Sequence, residues 1–407
     1  MQTFIKNYFA KKYFIINPRT ISYGGLAESL MFGYKIAKYF NKKIILAVPL
    51  INYHGKHRKK KIYGIGLIWK LFLKELDFKS KIFSVIITIF LNFNLLLKKI
   101  KILGILHFLT IKDSYIENIF PLKLGYSFVE KFENKISQNE WKKIFEQKNY
   151  EYFKNNNNNN NISFYVKDKN YSKISEISED SIADIENYRN SLNFLIKKNY
   201  KIIRTGDQLS KKFDFTHKNY KDLTIEKKNF ILQQYMTLSN CKYYFGCGSA
   251  QSFYASFFNK RRVLSNLSID YILTYPCDFF FKTDFLIFKK VYFKPLKKII
   301  SFEKLFSLDY EILNNSNNFM YIENSQNEIL RTIIEFEENL DNFEPSQRQN
   351  SFNKEVKLFF KKNFEKKTVY HIFFESTFIL PNFFLEKYQY ENPLLDEEND
   401  NINFNKL

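Results

Sequence analysis

The second half of the chain alternates short apolar runs with longer stretches of helical spacing, and this alternation constrains the fold most. The runs have the β-branched and aromatic content of strands, and the stretches between them have the roughly 10–15 residues of crossover helices. The predicted strands are 162–166, 200–205, 242–245 and 262–264, and the predicted helices are about 184–198, 225–238 and 250–258. Strands and helices in this order form parallel sheets, so we expect a parallel α/β domain here.

The first half of the chain opens with a related unit. A strand, a glycine-bearing turn, a helix and a second strand are predicted at Tyr13–Asn17, Ser22–Glu28, Leu30–Phe40 and Lys43–Pro49. This is the β-loop-α-β opening of a Rossmann-like domain. Gly24 and Gly25 at the helix start would let a ligand approach the backbone closely, and a plain strand-to-helix turn is the alternative.

An uninterrupted run of asparagine, Asn155–Asn161, separates the two halves. Such a tract cannot bury apolar surface, so we interpret it as a linker. The predicted architecture is therefore α/β, with two Rossmann-type domains facing a crevice where ligands bind at the carboxyl ends of the strands. The predicted divisions are an N-terminal domain, the linker, a C-terminal domain, a helical segment packing back on the core, and a disordered acidic tail, at 1–154, 155–161, 162–345, 346–395 and 396–407.

Composition excludes several classes of protein. Hydrophobic residues make up 45% of the 407 residues, which is enough for real cores and excludes a wholly disordered or fibrous chain. Three cysteines exclude a disulfide scaffold and fit a reducing compartment. No CxxC or paired histidine motif accompanies them, so a structural zinc site is not expected.

Positive charge is concentrated in the first 112 residues. They hold 21 Lys and Arg against three acidic residues, a net charge of +18 out of the +21 of the whole chain. The basic cluster 54–61 belongs to this region. A strongly cationic face attracts phosphates, either of lipid headgroups or of nucleic acid.

The most apolar stretch of the sequence is 82–97, and Lys98, Lys99 and Lys101 follow it. It falls short of the roughly 20 residues that a spanning helix needs. A buried or interfacial helix, a membrane-dipping segment and a spanning helix are the alternatives. Together with the basic cluster, the stretch favours docking on an anionic membrane surface.

Three strand ends carry polar residues suited to a nucleotide. Arg204 and Asp207 suit a phosphate and a sugar hydroxyl, and Lys167 with Asp168 offers a similar pair. The turn Gly246–Ser249 leads a strand into a helix, and its backbone amides with the helix dipole suit a pyrophosphate. A surface turn is the alternative for each.

The order and spacing of these segments resemble a family of glycosyltransferases from bacterial surface-polysaccharide gene clusters. The matching segments are Val166-Lys167-Asp168, Asp184-Ile185-Glu186-Asn187-Tyr188, Ile203-Arg204-Thr205-Gly206-Asp207, Phe245-Gly246-Cys247-Gly248-Ser249, Phe257-Phe258 and Asn266. The resemblance covers about 162–310, with a similar stretch at 378–388. It reaches the first half mainly in the opening loop.

The chain departs from the family pattern at several positions. Tyr165 stands where the family often has His, and Lys167 where it has Arg. The other differences are Ser181-Ile182 for Arg-Asn, Gly25 for a His, and Arg261 or Arg262 for a Pro. These changes leave open a different donor or acceptor, or an inactive homologue.

The resemblance implies a GT-B-type glycosyltransferase that uses a nucleotide-activated sugar and needs neither cofactor nor metal. The donor site would comprise Lys167, Asp168, Arg204, Asp207, Gly246, Gly248, Ser249, Gln251 and Ser252. Gly24 and Gly25 would form an acceptor-side loop. Glu28 is the candidate base for the acceptor hydroxyl, with stabilisation of a helix N-terminus as the alternative. The acceptor would be a glycan or lipid-linked glycan, and the enzyme would be cytoplasmic and peripherally bound to the anionic inner face of the cell membrane.

Two other functions remain open at this point. A sugar-nucleotide epimerase would share the two-domain fold, but it would not need a cationic and apolar N-terminal surface. The net charge also allows a nucleic-acid-binding protein, yet no helix-turn-helix, RNP or zinc motif supports specific binding.

Overall fold

The computed structural model describes residues 12–16, 18, 23–48, 50, 76–99, 160–172, 182–206, 210–226, 230–268, 284–307, 317–340, 343–364 and 379–390. The chain forms two compact units, one of residues 1–154 with 231–235 and 257–259, and one of the remaining residues. Asp207, the basic cluster 54–61, most of the asparagine run and the tail 396–407 lie outside the described residues. The domain limits proposed from the sequence stay predictions.

The first unit contains the β-α-β element expected from the sequence. Strands β1 (Tyr13–Ile16) and β2 (Lys43–Leu46) pair in parallel, and helix α1 (Tyr23–Tyr39) connects them. The helix begins earlier than expected, because Leu26 continues the apolar spacing of Leu30 and both side chains are fully buried. Gly24, Gly25 and Glu28 therefore lie in the first turns of α1, and the loop predicted over 22–28 is wrong for 23–28.

Helix α2 (Phe78–Lys99) contains the apolar stretch 82–97 and extends beyond it at both ends. Within the described ranges, no helix is long and apolar enough to cross a membrane. The helix packs beside β2.

The second unit is built on a sheet that has six parallel strands in the described part of the chain. They are β3 (Asn161–Tyr165), β4 (Lys201–Arg204), β5 (Tyr220–Asp222), β6 (Tyr243–Cys247), β7 (Arg261–Leu267) and β8 (Phe285–Phe288). Their spatial order is β5-β4-β3-β6-β7-β8. Counted from β3, this is the 3-2-1-4-5-6 order of the doubly wound Rossmann fold, so the α/β class is confirmed.

The helices that follow these strands lie close to their predicted positions. Apart from the short α3 (Lys169–Ser172), which was not predicted, they are α4 (Arg189–Lys197), α5 (Phe230–Asn240) and α6 (Ala250–Phe257). A 3₁₀ turn, Ile185–Tyr188, precedes α4, and Asp184 caps it by accepting a hydrogen bond from the amide of Glu186. The strands β5 and β8 were not predicted.

The chain beyond β8 adds an antiparallel sheet and further helices. Among the described residues this sheet has the order β10-β9-β11, with β9 at Lys290–Phe293, β10 at Lys298–Ile300 and β11 at Phe319–Ile322. The helices are α7 (Phe302–Ser307), α8 (Gln326–Glu338), α9 (Gln347–Phe364) and α10 (Asn382–Tyr388). Phe302 packs against Phe352 of α9 and Phe384 of α10, so these helices share one aromatic core.

Candidate functional site

The strand order of the large sheet reverses between β3 and β6. From β3 the chain adds β4 and β5 on one side, and it then adds β6, β7 and β8 on the other side. The loops that follow β3 and β6 therefore lead away from each other and leave a gap between them. In this chain the gap lies between Val166–Asp168, which follow β3, and Gly248–Ser249, which follow β6. Two of the segments singled out from the sequence thus meet at the place where open α/β sheets bind ligands.

Gly246 allows β3 and β6 to approach each other closely at this edge. It pairs with Tyr165 and has a φ of +148°, which side-chain-bearing residues rarely adopt. A Cβ added there would lie 1.9 Å from the carbonyl oxygen of Tyr165. The structural reason for a glycine at this position is therefore the sheet itself. The turn predicted over Gly246–Ser249 is wrong for Gly246 and Cys247, which belong to β6.

The start of α6 is organised by two serines. Ser249 Oγ accepts a hydrogen bond from the amide of Gln251 at 3.1 Å, as an N-cap does. Ser252 Oγ donates to the Ser249 carbonyl at 2.7 Å and accepts from the Ser249 amide at 3.1 Å. Ser252 and Gln251 are buried, whereas Ser249 is partly exposed. These contacts hold the turn and give the helix a fixed N-terminus at the gap.

Two lysines lie at the same edge of the sheet. The backbone amide of Lys167 donates to Cys247 Sγ at 3.0 Å, and the ammonium of Lys289 donates to the carbonyl of Ile182 at 2.6 Å. Burial, together with the charge of Lys289, lowers the pKa of Lys167 to about 8. Burial raises the pKa of the Cys247 thiol to about 11, so the thiol is neutral at pH 7. An anion bound here would stabilise the protonated form of Lys167.

Lys289 is the residue that sequence reasoning missed. It directly follows β8, whose four residues are all fully buried. No motif marks it, and the only available signal was a lysine at the end of an apolar run.

Arg204 and Asp168 are buried and bonded to protein groups. Arg204 forms an ion pair with Asp222 at 2.9 Å, donates to the Lys211 carbonyl at 2.7 Å and approaches Asp168 to 4.0 Å. Asp168 accepts from the amides of Lys211, at 2.6 Å, and Asn170, at 2.9 Å. These contacts tie β4, β5 and the chain around Lys211 together, as a structural ion-pair network does. Donor binding by either side chain stays a prediction.

A group of hydrogen-bonded polar side chains lies around Ser265 and Asn266 of β7. The Tyr188 hydroxyl accepts from Ser265 Oγ at 2.8 Å and from the Asn266 side chain at 3.1 Å. Asn266 and Asn324 exchange two bonds of 2.7 Å, each between a backbone amide and the other side chain. Asn266 has a φ of +56° beside an irregularity in the β7–β8 pairing, so tertiary contacts hold a strained backbone here.

The structure brings together most of the predicted donor residues. Those of the second unit cluster around the carboxyl ends of β3, β4 and β6: Lys167, Asp168, Arg204, Gly246, Gly248, Ser249, Gln251 and Ser252. Gly24, Gly25 and Glu28 belong to the first unit.

The lysines give this edge of the sheet positive charge, whereas the amides of Lys167, Ser249 and Gln251 already donate to protein groups. In the ranges that the structure describes, no group of three or more His, Cys, Asp or Glu side chains could hold a metal ion.

Comparisons with protein-family models, curated proteins and solved structures find no match for this chain.

Proposed function

We propose that the chain is a GT-B-type glycosyltransferase that transfers a sugar from a nucleotide-activated donor to a glycan in surface-polysaccharide synthesis. The observation that carries the proposal is the coincidence of the Gly248–Ser249 turn and Lys167 with the point where the sheet order reverses. Nucleotides bind at this point in doubly wound sheets. The donor diphosphate would lie against the N-terminus of α6.

The lysines of this edge suit the charge that develops during transfer. When the bond to the sugar breaks, negative charge accumulates on the departing diphosphate, and fixed positive groups stabilise it. Lys167 and Lys289 would supply that charge without a metal ion. The acceptor hydroxyl needs a base, and Glu28 of α1 is our candidate in the first unit.

The proposed acceptor is a lipid-linked glycan at the inner face of the cell membrane. The support is the +18 net charge of the first 112 residues, which favours an anionic surface. Together these assignments describe a cytoplasmic, peripherally bound transferase.

A thermal-shift screen of nucleoside diphosphates and nucleotide sugars tests the donor site. A ligand at a hundredfold excess over its Kd stabilises the protein by about 2.7 kcal/mol. Lys167→Met should remove most of the shift, whereas Lys218→Met, at an exposed lysine of the same unit, should leave it unchanged. If no compound at millimolar concentration shifts the melting curve of the wild type, the proposal fails.

Product analysis separates transfer from epimerisation. A transferase releases a nucleoside diphosphate in the presence of acceptor, whereas an epimerase returns a nucleotide sugar with altered configuration. Arg204→Ala would be a poor probe of either activity. Because Arg204 is buried with Asp222 and Asp168, its removal should destabilise the fold by about 3–5 kcal/mol.

A further inference from the structure

Helix α2 of the first unit has a polar face with a four-residue repeat. Ser80, Ser84, Thr88 and Asn92 follow one another at this spacing, which places them on one side of the helix. The first three are almost completely buried. The polar side of α2 therefore faces the protein, in contrast to an ordinary surface helix.

The buried polar face takes the place of a neighbouring strand. Ser84, Thr88 and Asn92 accept hydrogen bonds from the amides of Leu46, Val48 and Leu50, at 2.9, 3.0 and 2.6 Å. Alternate residues of an extended chain are about 6.6 Å apart, and residues four apart on a helix are about 6 Å apart. The two repeats match over these three contacts, so α2 satisfies the edge of β2 and the segment after it.

The apolar face of α2 consequently points outward. Eight large apolar side chains described on this helix are each at least 40% exposed: Phe78, Ile82, Val85, Ile86, Ile89, Phe90, Phe93 and Leu96. An exposed apolar face of this extent marks a site of interaction with another protein or a membrane.

The charge around this face favours a lipid surface over a second copy of the chain. Lys79 and Lys81 lie in the first turn of α2, and Lys98 and Lys99 end it. A symmetric dimer through α2 would bring two such basic regions together, each from a segment with a net charge of +18. An anionic bilayer can bind both parts of this surface, because its acyl chains can bury the apolar side chains and its headgroups attract the lysines.

We propose that the exposed apolar face of α2 docks on an anionic lipid bilayer, with the helix parallel to the surface and Lys79 and Lys81 among the headgroups. A spanning orientation would break the hydrogen bonds to β2. The biological role of this docking rests on the proposed function, because docking would bring the donor site to a lipid-linked acceptor. Its test is independent, because lipid binding requires neither donor nor acceptor.

Sedimentation of the full chain with lipid vesicles tests the proposal. The wild type should bind vesicles of phosphatidylcholine with about 30% phosphatidylserine at least tenfold more tightly than pure phosphatidylcholine, because the headgroup term is electrostatic. The variant Ile86→Ser/Ile89→Ser/Phe93→Ser should lose at least tenfold in affinity for the anionic vesicles. A matched control replaces three exposed apolar residues elsewhere, Ile225→Ser/Leu296→Ser/Leu358→Ser, and should bind like the wild type.

A second variant keeps the test decisive if the triple variant folds poorly. Lys79→Glu/Lys81→Glu leaves the apolar face intact and should weaken binding to anionic vesicles severalfold at low salt. Equal binding of wild type and triple variant would overturn the proposal, as would equal binding to both kinds of vesicle. It would also be overturned by a wild-type dimer in analytical ultracentrifugation that the triple variant abolishes, because the occupant would then be a second copy. Donor binding by thermal shift should be unchanged in both variants, so failure here leaves the donor proposal intact.

Discussion

Replacing Thr88 by valine should detach α2 from β2 locally, because Thr88 is the middle one of the three side chains that accept hydrogen bonds from this edge. Its hydroxyl accepts from the Val48 amide at 3.0 Å and donates to the Leu46 carbonyl at 3.2 Å, and the side chain is buried. Valine has the same shape and can make neither bond. The substitution therefore tests hydrogen bonding without changing the packing volume.

The expected cost follows from the groups left without a partner. A buried donor or acceptor that loses its hydrogen bond costs about 1–3 kcal/mol. The amide of Val48 loses the acceptor that the structure gives it, so we expect the free energy of local opening to fall by about 1–3 kcal/mol. A matched control is Val85→Thr, which makes the reverse exchange on the exposed face of the same helix and should change stability by less than about 0.5 kcal/mol.

Amide hydrogen exchange of residues 43–50 is the appropriate assay, because a chain of two units need not unfold in a single transition. A loss of 1–3 kcal/mol corresponds to exchange of the Val48 amide about 5- to 150-fold faster. Unchanged protection in Thr88→Val, or an equal effect of Val85→Thr, would show that the polar face of α2 does not hold this edge.

Three further predictions concern other buried groups. Gly246→Ala should reduce the free energy of unfolding by about 2–6 kcal/mol, since strain at its positive φ adds to the overlap with the neighbouring carbonyl; urea unfolding measures it, and a stable variant would contradict the geometry. Burial lowers the pKa of Lys35 to about 7, below its ordinary value of 10.5, so the unfolded chain holds an extra proton between these pH values. Stability should therefore rise as pH increases from 7 to 10.5, and Lys35→Met should flatten this profile when melting temperatures are compared. Diphosphate affinity should fall as pH rises through about 8, where Lys167 loses its proton; titration calorimetry at pH 7 and 9 checks this, and equal affinities would argue against a role for that amine.

The strands that the sequence did not predict show why local patterns reveal some strands and not others. Strands β3 and β6 are buried on both faces from Ile162 onward and from Tyr243 onward, so each is visible in the sequence as a largely apolar run, broken in β3 by Ser163. Strand β5 is only Tyr-Lys-Asp at the edge of the sheet, and none of its residues is fully buried. A short polar edge strand is defined by its neighbour, and no periodicity reveals it.

The candidate site likewise has parts that the sequence could predict and parts that it could not. A turn between β6 and α6 was predictable, because glycines and a serine between an apolar run and a helical stretch favour a tight turn. Its start was not, since Gly246 and Cys247 continue the strand. The surroundings of Arg204 were not, since its partner Asp222 is 18 residues away and lies on the neighbouring strand. The sequence alone could not indicate that this charge is buried in an ion pair.

By itself, the sequence determined the alternation of strands and helices, the helical nature of 82–97 and the concentration of positive charge before residue 112, because each depends on residues close together in the chain. Only the tertiary structure decided which face of α2 is buried. The apolar side would ordinarily pack inward, but the amides that continue β2 need acceptors, and the four-residue repeat of Ser84, Thr88 and Asn92 supplies them. The hydrogen-bonding requirement of a strand edge some 40 residues away thus sets the orientation of the helix, and its apolar side is left exposed.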